Sequence, residues 1–232
     1  MPPDQASLLL VAHGTRCAEG VAMFEDLRDK VAQLLPDAQV RLAYVDVIGP
    51  TPEDALRELP GPVVIVPAFL ASGYHVRIDL PEQVRRSGRS DTVTAPALGP
   101  DVALAEVMAE RLTQAGWAGE GQVVLAVAGS NDPAAQAENQ TTLRQLEAVL
   151  GASVLLGTIG QGSPRIAQVV PSLPGPVFIA QYLLADGLFS RKLIDLAPQA
   201  KGRAGPLGTH PKVVQLVVRR YREGLAEPRP NV

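Results

Sequence analysis

Two histidines and an aspartate, His13, Asp46 and His75, are the residues of this sequence best suited to bind a metal ion. His13 directly follows a short apolar run that is typical of a buried strand, Asp46 lies at the end of a second such run, and His75 comes after a third. The three side chains therefore come from three separate loops. Two imidazoles and one carboxylate form a donor set that suits first-row divalent ions. A neutral imidazole can also accept a proton near neutral pH. The three residues are therefore predicted to form a metal site at which protons can be transferred.

The apolar pattern of the first half predicts alternating strands and helices around these loops. The predicted strands are Leu8–Ala12, Val40–Val47, Val63–Val66 and Thr92–Ala95, and the predicted helices are residues 21–34, a segment beginning at Thr51-Pro52, and Val102–Leu112. Thr51 suits a helix N-cap and Pro52 the first helical position, while Pro36 ends the first helix. His75 is expected in the loop after the third strand. In folds of this kind ligands bind beyond the carboxyl ends of the strands, where the three candidate ligands are expected.

The sequence also contains an internal repeat. Leu10–Thr15 matches Leu125–Ser130, Pro60–Val66 matches Pro174–Ala180, Leu70–Gly73 matches Leu184–Gly187, and Leu98-Gly99 matches Leu207-Gly208. Four matches in the same order indicate a duplication. Ala128 and Phe189 stand at the positions of His13 and His75, and the segment opposite Asp46 holds no acidic residue. Residues needed for folding should recur in both halves, so this difference indicates a single site in the first half.

The second half repeats the alternation of strand and helix. Its predicted elements are Val123–Val127, Gln136–Leu150, Val154–Thr158, Pro164–Val170, Val177–Gln181 and Val213–Tyr221. Such alternation predicts an α/β fold of two tandem, doubly wound parallel-sheet domains. Residues 1–117 would carry the site, and residues 118–232 would be a degenerate repeat that completes a cleft. The Gly-rich seam is Gly116–Gln122. A monomer could then hold a complete site, so the sequence does not require a second subunit.

Composition excludes several classes of protein and cofactor. The formal net charge of −3 argues against a nucleic-acid-binding surface. No apolar run reaches the length that spans a bilayer, and Met1–Ser7 lacks the basic residue of a signal peptide, so we expect a cytoplasmic protein that does not enter membranes. The single cysteine excludes an internal disulfide and a cysteine-ligated iron–sulfur cluster within one chain. The chain has no Walker-type phosphate loop, so no nucleotide is expected.

Three segments resemble the sirohydrochlorin chelatase family: Leu9–Arg16, Asp46 to Pro52, and Pro67–Pro81. The resemblance covers nearly the whole chain, in a two-half version, and implies the fold of the class II chelatases. It further implies a lyase of porphyrin biosynthesis that inserts a divalent metal into sirohydrochlorin without ATP, with the metal as a substrate. His13 and His75 would be the metal-binding and catalytic pair. The family commonly has glutamate where this chain has Asp46, which is one methylene shorter.

The resemblance favours Fe²⁺ as the metal, hence sirohaem biosynthesis. Insertion of Co²⁺ or Ni²⁺ for a cobalamin-type cofactor is the alternative, because the donor set does not distinguish these ions. Sirohydrochlorin carries many carboxylates, and basic side chains would help to hold it. The candidates for substrate binding are Arg16, Arg77, Arg191 and Lys192, together with Phe189, which would shape the cleft.

Other functions stay open from the sequence. A tetrapyrrole or metal carrier of the same fold would bind without turnover. A histidine phosphatase also has a His-Gly pair after its first strand, but Ala12 stands here where those enzymes have arginine. The glycine-rich segment Gly157–Ser163 could hold a substrate carboxylate on helix N–H groups, or it is a loop with Ser163 as helix N-cap.

Overall fold

A computed structural model describes residues 6–227 of the chain. Residues 1–5, most of the N-terminal segment considered above, lie outside the described residues. Within residues 6–227 we find no helix long and apolar enough to cross a membrane.

The first sheet has four parallel strands in the order β2-β1-β3-β4. They are β1 (Ser7–Ala12), β2 (Val40–Tyr44), β3 (Val63–Pro67) and β4 (Thr92–Thr94). The helices between and after them are α1 (Ala18–Leu34), α2 (Pro52–Glu58), α3 (Leu80–Ser87) and α4 (Val102–Gln114), with a π-helical turn, His75–Asp79, directly before α3.

The second sheet repeats this order as β6-β5-β7-β8, again with all strands parallel. Its strands are β5 (Gln122–Val127), β6 (Val154–Thr158), β7 (Val177–Tyr182) and β8 (Gly202–Arg203). Its helices are α5 (Pro133–Leu150), α6 (Ile166–Val169), α7 (Leu188–Leu196) and α8 (Pro211–Ala226), with a 3₁₀ turn, Val170–Ser172, after α6. The predicted α/β fold of two parallel sheets related by duplication is confirmed.

The strand β1 forms the centre of its sheet because its whole length is apolar enough to be covered on both faces. Leu8–Ala12 is completely buried, as is typical of parallel strands that lie under helices on each side. Val11 pairs with Ala43 of β2 and with Pro67 of β3. The carboxyl ends of these three strands therefore meet at one edge, from which the loops to the candidate ligands leave.

Two helix boundaries follow the predicted local chemistry. Thr51 caps α2: its Oγ1 accepts a hydrogen bond from the Asp54 backbone N–H at 3.2 Å, and the Asp54 side chain in turn accepts one from the Thr51 N–H. Pro52 is the first residue of the helix, where no N–H is needed. The helix α1 ends at Leu34, two residues before Pro36, as predicted.

The contacts divide the chain into two compact units whose boundaries differ from those of the repeat. Among the described residues, one unit comprises the segments up to residue 98 and from residue 213 and contains the first sheet, and the other comprises residues 99–212 and contains the second. In the first unit α8 packs on the first sheet, since Tyr221 Oη donates to the Ala6 carbonyl at 2.5 Å. In the second unit α4 packs against β7 and α5. The last helix of each repeat therefore belongs to the unit that contains the sheet of the other repeat. Residue 117 stays the predicted boundary between the two copies of the duplicated sequence.

Three local predictions differ from the structure. β2 ends at Tyr44 rather than Val47, because Val47 adopts a positive φ of 71° that turns the chain out of the strand. His75 is the first residue of the π-helical turn instead of lying in a loop. The helix after Gly157–Ser163 begins at Ile166 with Arg165 as its N-cap, so Ser163 does not cap it.

Candidate metal centre

The structure brings together the side chains of His13, Asp46 and His75. The Nε2 atoms of the two histidines are 3.0 Å apart, and their rings are nearly perpendicular, at 81°. One possible ligand atom from each of the three residues lies within 4.8 Å of the other two. His13 and Asp46 are exposed, and His75 is half-buried, so an ion can reach the group from solvent.

The backbone after β1 holds His13 and Asp46 beside each other. The Asp46 N–H donates to the His13 carbonyl at 3.0 Å. Gly14 has a φ of 102°, and a Cβ built on it would lie 2.0 Å from the Asp46 carbonyl oxygen. Only glycine allows the two loops to approach this closely. The Gly in the His-Gly pair is therefore explained by the backbone, independently of any metal.

The Asp46 carboxylate and its loop are held from two directions. Asp46 Oδ1 accepts a hydrogen bond from the Val47 N–H at 2.7 Å, which fixes the side chain against its own turn. Gln83 of α3 donates from Nε2 to the Val45 carbonyl at 2.9 Å. The helix that follows His75 is thereby joined to the loop that carries Asp46.

His75 is held by a carboxylate four residues further along the π-helical turn. Its Nδ1 lies 2.6 Å from Asp79 Oδ2. Leu80 closes the turn by donating its N–H to the His75 carbonyl, five residues back. The sequence interpretation did not assign a role to Asp79 or Gln83. The four-residue spacing of His75, Asp79 and Gln83 is the signal that could have revealed them, once the segment is read as helical.

The hydrogen bonds of the two imidazoles determine where their lone pairs point. His13 Nδ1 lies 3.1 Å from the Gly14 carbonyl oxygen, and His75 Nδ1 faces the Asp79 carboxylate. Both acceptors assign the proton of the neutral ring to Nδ1, leaving a lone pair on each Nε2. Two lone pairs 3.0 Å apart repel unless the two nitrogens share a proton or a metal cation. Metal–imidazole bonds of about 2.1 Å at a right angle separate two nitrogens by about 3 Å.

Apolar side chains accompany this polar group. The ring of Phe69 is centred 6.5 Å from that of His13, and the ring of Tyr74 is 6.1 Å from that of His75. Tyr74 is 62% exposed and Ile78 is 52% exposed. Exposed apolar side chains rimmed by polar groups occur at ligand-binding grooves, and single exposed apolar residues are also common on protein surfaces. A ligand with a flat apolar body and a polar centre would suit this combination.

The predicted substrate-binding residues lie in two separate units. In the first unit Arg16 follows His13 by three residues and Arg77 follows His75 by two, and both are exposed. In the second unit Phe189, Arg191 and Lys192 are exposed residues of α7. The Lys192 ammonium lies 5.9 Å from the centre of the Phe189 ring. The role of all five in substrate binding stays a prediction.

The second half repeats the backbone of the centre without its chemistry. The Gly160 N–H donates to the Ala128 carbonyl at 2.9 Å, as the Asp46 N–H does to that of His13. Gly129, the counterpart of Gly14, has a φ of 90°. A Cβ on Gly160 would lie 3.0 Å from the Phe189 ring. Ala128, Gly160 and Phe189 thus stand where the first half has a histidine, an aspartate and a histidine.

Residues 7–115, which include this group of side chains, match the family model CbiX. Over this N-terminal half, the chain is similar to the CbiX family. The predicted resemblance to the sirohydrochlorin chelatases is confirmed. The CbiX match ends close to the predicted seam of the duplication, so it covers one repeat.

The curated proteins most informative for this chain are named sirohydrochlorin cobaltochelatases. It is 28% identical over 83 residues to the sirohydrochlorin cobaltochelatase of Methanococcoides burtonii, covering 34% of the chain and 63% of that protein. It is 29% identical over 123 residues to the sirohydrochlorin cobaltochelatase of Saccharolobus solfataricus, covering 46% of the chain and 93% of that protein. The matched part of the chain therefore spans just under two thirds of the first of these relatives.

Solved structures extend the likeness to both halves. SirB from Bacillus subtilis, solved with Fe³⁺, superposes with a TM-score of 0.81 over 96% of each chain, at 20% identity. A CbiX described as the terminal enzyme of sirohaem biosynthesis in denitrifying bacteria superposes with a TM-score of 0.73 over 95% of this chain and all of that one, at 24% identity. These comparisons show that the two-sheet architecture is that of the class II chelatases.

Proposed function

We propose that this protein inserts a divalent metal ion into sirohydrochlorin without using ATP. The observation that carries the proposal is the pair of Nε2 atoms, from His13 and His75, that lie 3.0 Å apart with the Asp46 carboxylate close by. The pair lies in the part of the chain that matches the CbiX family, whose relatives are named sirohydrochlorin cobaltochelatases. A histidine phosphatase would not need two imidazoles with lone pairs directed at one point, whereas a metal carrier would, so turnover is what distinguishes a carrier from a chelatase.

The chemistry of insertion uses each imidazole twice. A divalent ion M²⁺ first exchanges some of its water for the two Nε2 lone pairs. The ion then forms bonds to the four ring nitrogens of the tetrapyrrole, and the two pyrrole N–H bonds break. Two protons must leave, and the two Nε2 atoms that release the metal become free to accept them. The Asp46 carboxylate offsets positive charge at the site during the exchange.

The remaining predicted residues would hold the macrocycle. We infer that Arg16 and Arg77 pair with substrate carboxylates, and that Arg191 and Lys192 do the same from the second half. Phe189 would offer its ring to the apolar body of the tetrapyrrole. The exposed cations and the exposed aromatic ring support this assignment, because sirohydrochlorin combines an apolar ring with a rim of carboxylates.

We propose Fe²⁺ as the metal, with sirohaem as the product. The name of the curated relatives favours Co²⁺ as the second candidate, and solved SirB structures hold Fe³⁺ or cobalt. Ni²⁺ would also suit two imidazoles and a carboxylate.

A spectrophotometric assay of the purified protein tests the proposal. Sirohydrochlorin is mixed under anaerobic conditions with Fe²⁺, Co²⁺ or Ni²⁺, and the absorbance change of metal insertion is followed with and without the protein. We expect many turnovers per protein molecule with no nucleotide present. Binding that stops at one equivalent would instead indicate a carrier. Rates equal to those of the protein-free control for all three metals would contradict the proposed function.

A further inference from the structure

A carboxylate outside the three candidate ligands is directed at one of them. Asp79 Oδ2 lies 2.6 Å from His75 Nδ1, and both side chains are about one-third exposed. On the other side of the imidazole ring, Nε2 faces His13. The two nitrogens of His75 are thus divided between the carboxylate and the other histidine.

The local fold does not account for Asp79. It stands at the N-cap position of α3, where an aspartate side chain commonly accepts a backbone N–H. Its side chain makes no such capping hydrogen bond, and the capping position already has helical backbone angles. The carboxylate instead contacts the imidazole one turn earlier.

The repeat also indicates that the fold does not require an acid at position 79. Phe189 is the counterpart of His75, and four residues later Leu193 is the counterpart of Asp79. Leu193 is completely buried in the core beneath the second sheet. The fold therefore accepts an apolar residue at this position where no histidine precedes it. The acid is present in the half that has the histidine and absent from the half that has lost it.

We propose that Asp79 is a positioning residue for metal transfer by His75. Its carboxylate accepts the Nδ1–H hydrogen bond, which fixes the ring orientation and keeps the Nε2 lone pair directed at the point shared with His13. The inference rests on the proposed function, because it assigns Asp79 a role in that same site. Asp79 itself contacts neither metal nor tetrapyrrole in this scheme.

Three substitutions separate the hydrogen bond from the fold. Asp79→Asn keeps an oxygen that can accept from Nδ1–H, while Asp79→Leu, which installs the residue of the second half, cannot accept. Glu82→Gln is the matched control, since Glu82 is a carboxylate of α3 that pairs with Arg85 and Arg86 instead of a histidine. We expect Asp79→Leu to lower kcat/KM for the metal by about 10–100-fold, with the KM for sirohydrochlorin unchanged. Asp79→Asn should restore most of this loss, and Glu82→Gln should match the wild type.

Two readouts do not depend on chelatase activity. Titration with Co²⁺ alone, without tetrapyrrole and at one fixed pH, should show weaker binding by Asp79→Leu than by Asp79→Asn. Long-range proton–nitrogen NMR of labelled protein should show His75 protonated at Nδ1 in the wild type and in Asp79→Asn, and redistributed towards Nε2 in Asp79→Leu. A wild type that binds Co²⁺ through the histidines but never inserts it would contradict the proposed function and leave these two measurements decisive for Asp79.

The inference is overturned if folded Asp79→Leu keeps both the Co²⁺ affinity and the His75 tautomer of the wild type. It is also overturned if Asp79→Asn is as impaired as Asp79→Leu, because the hydrogen bond would then not be the cause. Circular dichroism confirms folding. Should Asp79→Leu fail to fold, Asp79→Ala takes its place with the same expected results.

Discussion

At the residue scale, the two histidines of the candidate centre are held by different acceptors. His13 faces a neutral backbone carbonyl of Gly14, whereas His75 faces a carboxylate. A hydrogen bond to a carboxylate is shorter and stronger than one to a neutral carbonyl. We therefore expect the ring orientation of His75 to be fixed more firmly than that of His13.

Removal of either imidazole should abolish most metal insertion. For His13→Ala and His75→Ala we expect the turnover rate to fall by about 10²–10⁴-fold, the usual contribution of an acid–base group, with loss of a ligand in addition. Neither ring is buried, so the fold should persist. The measurement is the insertion rate, with circular dichroism to confirm folding.

The third histidine provides the matched control. His210 pairs with Glu110 at 3.0 Å in the second unit, and His210→Ala should leave the rate unchanged. Full activity in folded His13→Ala or His75→Ala would exclude the proposed chemistry.

Substitution of Asp46 distinguishes a ligand from a residue that only orients its surroundings. Asp46→Asn keeps an oxygen that can accept from the Val47 N–H, so the turn should be preserved. If the carboxylate offsets charge without coordinating, we expect a loss of about 10–100-fold in kcat/KM for the metal. A loss as large as that of His13→Ala would show direct coordination. Asp46→Glu, with one more methylene, should retain activity in either case.

At the scale of elements, the sequence predicted the strands more completely than it predicted the helical segment from 75 to 87. β1 and β3 are buried along their whole length, so each is a continuous apolar run that is recognisable in the sequence. The first turn of the helical segment, which starts at His75, contains the β-branched residues Val76 and Ile78, and Pro81 follows. These residue types disfavour a helix. Pro81 is tolerated because it lies in the first turn of α3, where its missing N–H is not needed. The missed helix is also why Asp79 and Gln83 were not predicted.

The turn after β1 should be intolerant of any side chain at Gly14. Gly14→Ala places a Cβ 2.0 Å from the Asp46 carbonyl oxygen at a positive φ. We expect it to destabilise the fold by about 3 kcal/mol or more, since strain and overlap add. Urea denaturation measures the loss.

Two other glycines serve as references for this measurement. Gly129→Ala meets the Gln161 carbonyl oxygen at the same 2.0 Å, so it should cost as much without touching the candidate centre. Gly205→Ala meets nothing within 4 Å and should change stability by no more than about 0.5 kcal/mol. Equal stability of Gly14→Ala and Gly205→Ala would contradict the explanation of the His-Gly pair.

At the scale of the whole molecule, the duplication allowed the architecture to be predicted from one sequence. The two sheets have the same strand order. The repeat of Leu10–Thr15 as Leu125–Ser130 correctly matched β1 of the first sheet to β5 of the second. The placement of α4 and α8 could not be predicted in this way. An amphipathic helix shows that one of its faces will be buried, but its pattern does not say against which sheet. The contact boundaries at 98 and 212 follow from that packing.

The repeat also predicts that the first half binds the metal and that the second half only contacts the tetrapyrrole. Phe189 stands where the first half has His75, its ring lies against Gly160, and its exposed fraction is 36%. If Phe189 contacts the tetrapyrrole as proposed, Phe189→Ala should remove roughly 1.4 kcal/mol of apolar contact and raise the KM for sirohydrochlorin about tenfold. The KM for the metal should not change, because Phe189 offers no ligand atom. Steady-state kinetics with each substrate varied in turn measures both constants.

The neighbouring residue Leu188 separates contact with substrate from general loss of apolar surface. Leu188 is 65% exposed and precedes Phe189 at the start of α7, so Leu188→Ala removes a similar apolar group from an adjacent position. We expect its effect on the KM for sirohydrochlorin to be smaller than that of Phe189→Ala. A change in the KM for the metal on substitution of Phe189 would contradict the division of roles, because it would mean that the second half takes part in handling the ion as well as the macrocycle.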